Sequence, residues 1–229
     1  MATESDSGRV NQKRRTHVAI VDACRTMIRG GGPVTMPEVA RAALVSEATA
    51  YRYFPDLISL LNEAFVGMWP SPADALKPVA HSRDPVERIA FACEFLLRGV
   101  HAYQGAVRAM IAATITRPET AAERPGVRFG LIDEALAPLN DAPLAPDPDW
   151  LVQLKKDLVA VVGSEALFAL TDLAGLTPDD AIASLVRTAS TVTEAALQPT
   201  ERATRPRWAP AAIARSNRRL TGLRKGPLT

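Results

Sequence analysis

The sequence predicts an all-α protein with a small N-terminal helical domain and a larger C-terminal helical domain. Alanine and leucine are abundant, aromatic residues make up only 5% of the chain, and alternating β-branched runs with hairpin turns are absent. A chain of 229 residues is long enough to bury a core in each of two such domains. We place the domains at residues 14–61 and 62–198, between an arm at 1–13 and a tail at 199–229.

The first predicted helix runs from about Thr16 to Ile28. Its apolar side holds Ile20, Ala23, Cys24, Met27 and Ile28. The segment from Gly30 to Pro33 ends it, because Gly and Pro both interrupt helices. Arg14 and Arg15 close the polar segment before this helix, and we expect residues 1–13 to be disordered.

Two helix starts follow in quick succession between Thr35 and Phe54. Thr35 can cap the first helix with its hydroxyl while Glu38 reaches back to the Thr35 amide, which is the capping-box pattern. The chain then turns at Leu44, and Ser46 offers the N-cap of a second helix. Two helices joined by so short a connection predict a helix-turn-helix.

The second helix of this pair has two unlike sides. Ala50 and Phe54 fall on the inner side, with Tyr51 at its edge. The outer side holds Ala48, Thr49, Arg52 and Tyr53. Thr, Arg and Tyr side chains can reach phosphates or base edges, and a small residue lets a helix approach a DNA groove closely. A helical hairpin with a solvated face has the same periodicity, so the pattern alone leaves DNA binding open.

A fourth helix is predicted from about Asp56 to Trp69, linking this domain to the rest of the chain. It presents Leu57, Leu60, Leu61 and Phe65 as its apolar residues. Pro70 and Pro72 would end the helix, and the pattern predicts a loop over residues 70–84.

From Pro85 to about Ile115 the chain is rich in apolar residues, and we expect Gly99 and Gly105 to break the helical run. Another helix is predicted over Gly126–Leu139, before a Pro-rich loop that reaches Pro148. Bulky apolar side chains with a few polar ones among them are typical of small-ligand pockets. The candidate pocket residues are Phe91, Phe95, His101, Tyr103, Met110, Thr114, Phe129 and Phe168. For each of them an ordinary place in a helical core is the alternative.

Two further helices are predicted at Trp150–Ala174 and Thr177–Gln198. Gly175 closes the first, and Thr177 caps the second, with Pro178 at its first position. In the second helix small and apolar residues recur at spacings of 3, 4, 3 and 4: Ile182, Leu185, Ala189, Val192 and Ala196. This repeat indicates a packing seam, either between two copies of the chain or within one.

No catalytic motif stands out. The chain has no Walker loop, no H-E-x-x-H, no G-x-S-x-G and no Cys/His cluster at metal spacing. His17, His81 and His101 are far apart in the sequence, and Cys24 and Cys93 sit among apolar neighbours as expected of buried free thiols. We therefore predict no enzymatic activity, no metal and no cofactor.

The net charge of +2 is unevenly distributed. Residues 9–56 have a net charge of +4 and residues 199–229 of +7, whereas residues 1–8 have a net charge of −2 and residues 57–198 of −7. A basic head and tail around an acidic body suit a polyanionic partner, although charge also serves solubility. No apolar run reaches the length of a membrane span, and the N-terminus lacks the apolar core of a signal peptide, so we expect a cytoplasmic protein with no membrane partner.

The N-terminal residues resemble the DNA-binding domain of TetR/AcrR-type transcriptional regulators, over about Arg14 to Leu61. The resemblance rests on Asp22-Ala23, Val39-Ala40, Val45-Ser46 and the run Thr49-Ala50-Tyr51-Arg52-Tyr53-Phe54 at these separations. Two positions depart from the family pattern. Leu44 stands where the turn usually has Gly, and Leu57 stands where a Lys usually supplies a phosphate contact.

The resemblance implies a repressor that leaves its double-stranded DNA operator when a small molecule binds the C-terminal domain. It also implies a homodimer formed by the last two helices, through the seam described above. The implied DNA contacts are Arg14, Arg15, Thr35, Ser46, Glu47, Thr49, Tyr51, Arg52 and Tyr53. The alternative is a helical small-molecule binding or enzymatic protein that no longer reads DNA.

Overall fold

The computed structural model describes residues 3–116, 126–140 and 148–198, and it contains no strand in these ranges. The predicted all-α class is confirmed. The helices are α1 (Thr3–Arg29), α2 (Met36–Ala42), α3 (Glu47–Tyr53), α4 (Leu57–Phe65), α5 (Pro72–Ala75), α6 (Pro85–Ala102), α7 (Gln104–Thr116), α8 (Val127–Leu136), α9 (Pro148–Val161), α10 (Ser164–Phe168) and α11 (Pro178–Leu197). The predicted tail at 199–229 and most of the predicted Pro-rich loop lie outside the described residues.

The first helix is longer than the sequence predicts. It begins at Thr3 and so includes residues 3–13, for which disorder was predicted. The Thr16 hydroxyl donates to the Gln12 carbonyl at 3.1 Å, so Thr16 lies inside a continuing helix and does not cap a new one. The preceding residues include good helix formers and no Pro. Arg14 and Arg15 are therefore exposed side chains of a helix, where a flexible arm was expected.

The N-terminal helices share one apolar core, called here the N-terminal cluster. It contains buried residues of α1, α2, α3 and α4, and it extends to Ala106 and Met110 of α7. Its fully buried members include Ile20, Cys24, Ile28, Val39, Ala50, Leu60 and Leu61. Because α7 contributes to this core, the described chain up to Ala195 forms one compact unit. Residues 196–229 form a second unit, of which the structure describes only 196–198.

Arg25 on α1 holds the C-terminal end of α4. Its Nε donates to the Ala64 carbonyl at 3.1 Å and its Nη2 donates to the Val66 carbonyl at 3.3 Å. These carbonyls lie in the last turn of a helix, where no intrahelical partner is left for them. With Gly67 at a φ of 75°, α4 ends at Phe65 and does not continue to Trp69 as predicted.

The segment predicted as a loop over residues 70–84 contains two short helical pieces. The Ser71 hydroxyl accepts from the Asp74 amide at 3.1 Å and so caps α5, and a 3-10 turn follows at Lys77–Val79. The Ser-Pro pair at the start of α5 fits the preference of Pro for the first helical turn. Asp84 then caps α6 by accepting from the Val86 amide at 2.9 Å.

The break between α6 and α7 falls at Tyr103, and both predicted breaker glycines lie inside helices. Each glycine instead lies where another part of the chain approaches closely. A Cβ at Gly99 would overlap the Trp69 ring, and a Cβ at Gly105 would overlap the carbonyl of Gly32. These glycines therefore serve packing between α6, α7 and the N-terminal helices.

A buried arginine ties α6 to α8. The Arg88 side chain is 6% exposed, and it donates to the carbonyls of Ala135 at 3.0 Å, Val79 at 3.1 Å and Glu134 at 2.7 Å. Two of these carbonyls belong to the last turn of α8, which would otherwise be buried without partners. Arg88, a residue of α6, thus caps the C-terminal end of α8.

The helix predicted over Trp150–Ala174 is interrupted. α9 ends at Val161, Gly163 is fully extended with a φ of −174°, and a five-residue π-helical turn at Ala169–Leu173 follows α10. The second predicted helix is confirmed. The Asp180 amide donates to the Thr177 hydroxyl at 3.2 Å, and Gly175 has the positive φ expected of a helix-ending glycine, 68°.

Within the described ranges, no helix is both long enough and apolar enough to span a membrane. No group of His, Cys, Asp or Glu in the same ranges has the arrangement of a metal site. Cys24 and Cys93 are fully buried free thiols, and burial raises the pKa of each to about 12. Because the thiolate is the reactive form, both cysteines have a structural role in the apolar core.

Candidate functional site

The start of α2 has the predicted cap with one difference. The Glu38 amide donates to the Thr35 hydroxyl oxygen at 3.4 Å, and the Thr35 hydroxyl donates to the Glu38 carboxylate at 2.7 Å. Glu38 therefore meets the Thr35 side chain, where the sequence predicted a bond to the Thr35 amide. Val34 and Val39 on either side of this cap are both buried in the N-terminal cluster. Together the cap and the two valines fix where α2 begins.

The turn between α2 and α3 is formed by a leucine in a left-handed conformation. Leu44 has a φ of 57°, and its side chain is 92% exposed. The Val45 amide donates to the Ala40 carbonyl at 3.0 Å and the Leu44 amide to the Arg41 carbonyl at 3.2 Å, which is the Schellman arrangement. The turn thus has the backbone geometry that a glycine would adopt there. Because leucine has a Cβ, this left-handed conformation strains the backbone at Leu44.

Helix α3 rests on the N-terminal cluster through one side. The Ser46 hydroxyl accepts from the Thr49 amide at 3.2 Å and caps the helix, as predicted. Ala50 and Phe54 are 0% and 4% exposed, so the inner side is the one that the wheel predicts. Glu47, Ala48, Tyr51 and Arg52 are exposed, and Thr49 is half-buried.

The exposure of the two tyrosines of α3 is the reverse of the prediction. Tyr51 is 48% exposed, whereas Tyr53 is half-buried against the N-terminal cluster. The Tyr53 ring centroid lies 6.1 Å from that of His17 on α1, and the Arg52 guanidinium lies 5.9 Å from the Tyr53 ring centroid. Because α3 is only seven residues long and ends at Tyr53, its last residues depart from the ideal wheel.

The basic side chains of this region fall into two groups. Arg14, Arg15 and Arg52 are exposed, and none has a carboxylate partner among the described residues. Arg25, in contrast, is half-buried and committed to the end of α4. Leu57 is half-buried against the N-terminal cluster, so this side chain contributes to packing. The exposed cations are therefore the ones available to a polyanion.

A second candidate site is a cavity of about 610 Å³ between α4, α6, α7, α8 and α10. Its lining is Phe65, Trp69, Leu96, Val100, Val107, Met110, Gly126, Val127, Arg128, Phe129, Gly163, Ser164 and Glu165. The volume lies in the usual range for small-molecule sites, and the lining combines many apolar side chains with few polar ones. Phe65 and Met110 belong both to this lining and to the N-terminal cluster.

Only two of the predicted pocket residues, Met110 and Phe129, line this cavity. Phe95 and Tyr103 lie one layer behind it, with ring centroids 6.2 Å and 5.8 Å from that of Trp69. They therefore support the wall of the cavity and do not face it.

The remaining predicted pocket residues lie elsewhere. His101 is exposed, and Phe91 is half-buried away from the lining. Thr114 is buried, and its hydroxyl donates to the Ile111 carbonyl within its own helix at 2.9 Å. The sequence could not separate these positions from the cavity side, because the type of a residue does not show which other helix it will face after folding.

Phe168 packs under an exposed ion pair. The Arg108 guanidinium lies 3.9 Å from the Phe168 ring centroid and binds both carboxylate oxygens of Asp172, at 2.5 Å and 2.8 Å. The hydrogen bonds from Arg108 and then from Thr171 lower the pKa of Asp172 to about 2. This contact connects α7 to the π-helical turn and removes Phe168 from the cavity.

The polar wall of the cavity was missed by the sequence interpretation. Arg128 Nη2 donates to Glu165 Oε2 at 2.9 Å, and the Ser164 hydroxyl donates to the same oxygen at 3.0 Å. Ser164 is 4% exposed and the Arg128 side chain 20%. The interruption at Gly163 places Ser164 and Glu165 beside Arg128. Arg128 and Glu165 are 37 residues apart, and no local sequence pattern predicts a contact over that separation.

The predicted dimer seam lies mostly inside the single chain. Ile182, Leu185 and Ala189 are buried, at 3%, 7% and 0% exposure, and only Val192 and Ala196 are half-buried. The first three residues therefore pack within the protomer, which was the alternative for this seam.

Residues 20–64 match a protein-family model described as bacterial regulatory proteins, tetR family. The comparison with curated proteins found no match. The solved structures similar to this chain include two regulators.

One is a TetR transcriptional regulator from Rhodococcus sp. RHA1, at 20% identity and a TM-score of 0.49, covering 79% of this chain and 97% of that one. The other is a tetR-family transcriptional regulator from Streptomyces coelicolor, at 16% identity and a TM-score of 0.53, covering 92% of this chain and 89% of that one. The second likeness extends the shared helical fold over most of the chain.

Proposed function

We propose that the chain is a TetR-type transcriptional repressor, since residues 20–64 match the family model of tetR-family bacterial regulatory proteins. In this proposal it acts in the cytoplasm, and a small molecule that enters the cavity releases it from its DNA operator. The observation that supports DNA reading best is the exposed side of α3, where Tyr51 and Arg52 project without a carboxylate partner among the described residues. Arg and Tyr are side chains that read base edges and phosphates.

The remaining DNA contacts would come from residues around α3. Ser46, Glu47 and Thr49 lie at its start, the part of a recognition helix that approaches base edges. Thr35 lies at the start of α2, and Tyr53 would contact DNA only through its exposed edge. Arg14 and Arg15 on the first half of α1 would contact phosphates, which position the protein without reading sequence.

We further infer a homodimer whose interface includes the C-terminal half of α11. Val192 is only half-buried in the single chain, so its exposed part could pack against a second copy. A two-fold axis would present two copies of α3 to one face of the DNA. Val192→Glu should convert the dimer into a monomer in light scattering at micromolar concentration, with the helical circular dichroism retained. A monomeric unmodified protein, or a dimeric folded variant, would contradict this interface.

The link between cavity and DNA rests on shared side chains. Phe65 and Met110 contribute to the cavity wall and to the N-terminal cluster on which α3 rests. A ligand that displaces either side chain would change the packing under α3, because packed cores respond by discrete rearrangement. This is how a ligand would alter DNA affinity without touching DNA.

A gel-shift experiment with the DNA that flanks the gene tests the proposed function. The protein should bind this DNA in preference to a scrambled duplex, and footprinting should protect an inverted repeat whose half-site centres lie about 34–36 Å, or a multiple of it, apart. Equal binding to both duplexes, or protection of a single unpaired site, would overturn the proposal.

The alternative function is that of a helical small-molecule binding protein that no longer reads DNA. Leu57 favours it, because this side chain packs against the N-terminal cluster where the family usually supplies a phosphate contact. The strained turn at Leu44 favours it as well. Absence of all DNA binding in the gel shift, together with a ligand that binds the cavity, would support this reading.

A further inference from the structure

We propose that the cavity binds an amphipathic organic acid, with an apolar chain or ring system in its interior and one carboxylate on Arg128. The inference rests on the proposed function, since it names the class of ligand for the same cavity. Most of the lining is apolar, and among the lining residues only Arg128 and Glu165 carry a charge. The chemistry of these two groups therefore decides which ligands are accepted.

The Arg128 guanidinium has N–H donors that make no hydrogen bond to the described residues. Its Nη2 binds Glu165 Oε2 at 2.9 Å, and no other partner of its guanidinium lies among the described residues. A guanidinium has five donors in a planar fork, and it binds carboxylates best when two of these donors act together. At 20% exposure the Arg128 side chain is largely removed from water, so unused donors there gain more from a ligand acceptor than they would at the surface.

The Glu165 carboxylate already accepts hydrogen bonds from the protein. Its Oε2 accepts from both Arg128 and the Ser164 hydroxyl, at 2.9 Å and 3.0 Å. A ligand cation would have to compete with the guanidinium for this carboxylate. A ligand anion instead adds to the guanidinium at donors that Glu165 does not use. The pair thus favours an acid over an amine of the same shape.

Gly163 leaves room for the Arg128 head group. A Cβ at Gly163 would lie 2.7 Å from Arg128 Nη1 and 3.1 Å from its Cζ, so any larger residue would push the guanidinium aside. The backbone there is extended, with a φ of −174° and a ψ of 164°, and any residue can adopt it. Gly163→Ala therefore changes the position of Arg128 without straining the backbone.

The interior of the cavity suits the apolar part of such a ligand. Phe65, Trp69, Leu96, Val100, Val107 and Met110 supply aromatic, branched and flexible thioether surface from α4, α6, α7 and the segment after α4. The charged residues Arg128 and Glu165 belong to other elements, α8 and α10. An apolar chain with its polar group at one end matches this division.

Calorimetric titration of the full chain with decanoate, decanol and decylamine tests the inference, since the three share one chain and differ in the head group. Decanoate should bind roughly tenfold or more tightly than the other two, as expected of a charge-assisted bidentate contact. Arg128→Gln should abolish this preference while decanol binding stays unchanged. Glu165→Gln should strengthen decanoate binding, because the variant leaves the guanidinium without its carboxylate competitor.

Two glycine variants separate the position of Arg128 from general changes in the cavity. Gly163→Ala should weaken decanoate more than decanol. Gly8→Ala in α1 is the control, because its Cβ would meet nothing within 4 Å and Gly8 does not line the cavity, so both ligands should bind this variant as they bind the unmodified protein. Fluorescence of Trp69, in a chain whose other two tryptophans are replaced by Phe, should change on binding since Trp69 lines the cavity.

The inference is overturned if decanoate binds no better than decanol, if decylamine binds best, if none of the three binds, or if Arg128→Gln keeps the preference for the acid. These outcomes are separate from a failure of the proposed function. If the protein binds its operator but not the acid, the proposed ligand class is wrong and the proposed DNA-binding function still holds. If the acid binds but does not release the operator, the ligand class holds and the proposed release of DNA by the ligand is wrong.

Discussion

The DNA-facing surface and the cavity are built in different ways. The exposed side of α3 comes from a single run between Ser46 and Tyr53, and its orientation is set by caps and by two buried residues of the same run. The cavity takes its lining from Phe65 to Glu165, from five helices. A site made within one helix can be interpreted from local pattern, whereas a site made between helices depends on contacts that only the fold provides. Changes to the long-range contacts should therefore cost more than changes to the local ones.

Arg88→Leu should have the largest effect on stability. The change removes the donors for two carbonyls at the end of α8 and for the Val79 carbonyl of the 3-10 turn, and an unsatisfied buried group costs about 1–3 kcal/mol. We expect the free energy of unfolding in urea to fall by about 3 kcal/mol or more. Arg98→Ala on the same helix is the matched control, because this exposed arginine pairs only at the surface and its loss should lower the free energy of unfolding far less. Similar decreases for the two variants would show that Arg88 is not the tie between α6 and α8.

Gly105→Ala should have the next largest effect. The new methyl group would overlap the Gly32 carbonyl, which is backbone and cannot move aside without shifting the turn after α1. Overpacking of this kind costs about 1–3 kcal/mol, and we expect that decrease in the same unfolding experiment. Gly8→Ala in α1 meets nothing within 4 Å and should instead be neutral or slightly stabilising. A neutral Gly105→Ala would show that α7 does not pack tightly on this turn.

Leu44→Gly should have a smaller effect, of opposite sign. Relief of the left-handed strain should raise the free energy of unfolding by about 1 kcal/mol. The leucine is 92% exposed, so its removal takes little from the core. Leu44→Ala keeps a Cβ at the same φ and should bring little of this gain. If both variants raise the free energy of unfolding equally, the destabilisation comes from the exposed leucine side chain and not from the backbone conformation.

Much of the N-terminal fold could be predicted from the sequence, because its signals are local. Caps at Thr35 and Ser46 act over three residues, so they are visible in the sequence itself. The sequence also identified Leu44 as the departure at the turn, and the structure places it in the conformation that favours glycine. The extent of α1 was missed, because the polar character of residues 1–13 was taken as a sign of disorder.

The cavity could be predicted only in outline. An apolar pocket with a few polar groups was expected in the right part of the chain, yet only Met110 and Phe129 among the candidates line it. Arg128 and Glu165 are 37 residues apart, and nothing local links them. Gly99 and Gly105 were interpreted as breakers, although their small size serves close approach between segments. Contacts of this kind have no period in the sequence and depend on tertiary packing.

The measurement that tests DNA reading most directly is a titration of Arg52→Ala against the operator and a scrambled duplex at several salt concentrations. If Arg52 forms a bidentate contact with guanine, operator binding should weaken by about 1–3 kcal/mol while scrambled binding changes little. Replacing Arg14 and Arg15 together should weaken both duplexes and flatten the slope of log affinity against log salt by roughly 0.9 for each phosphate that the variant no longer neutralises. Equal weakening on both duplexes for Arg52→Ala would contradict sequence reading by α3, because this helix would then hold DNA without distinguishing its bases.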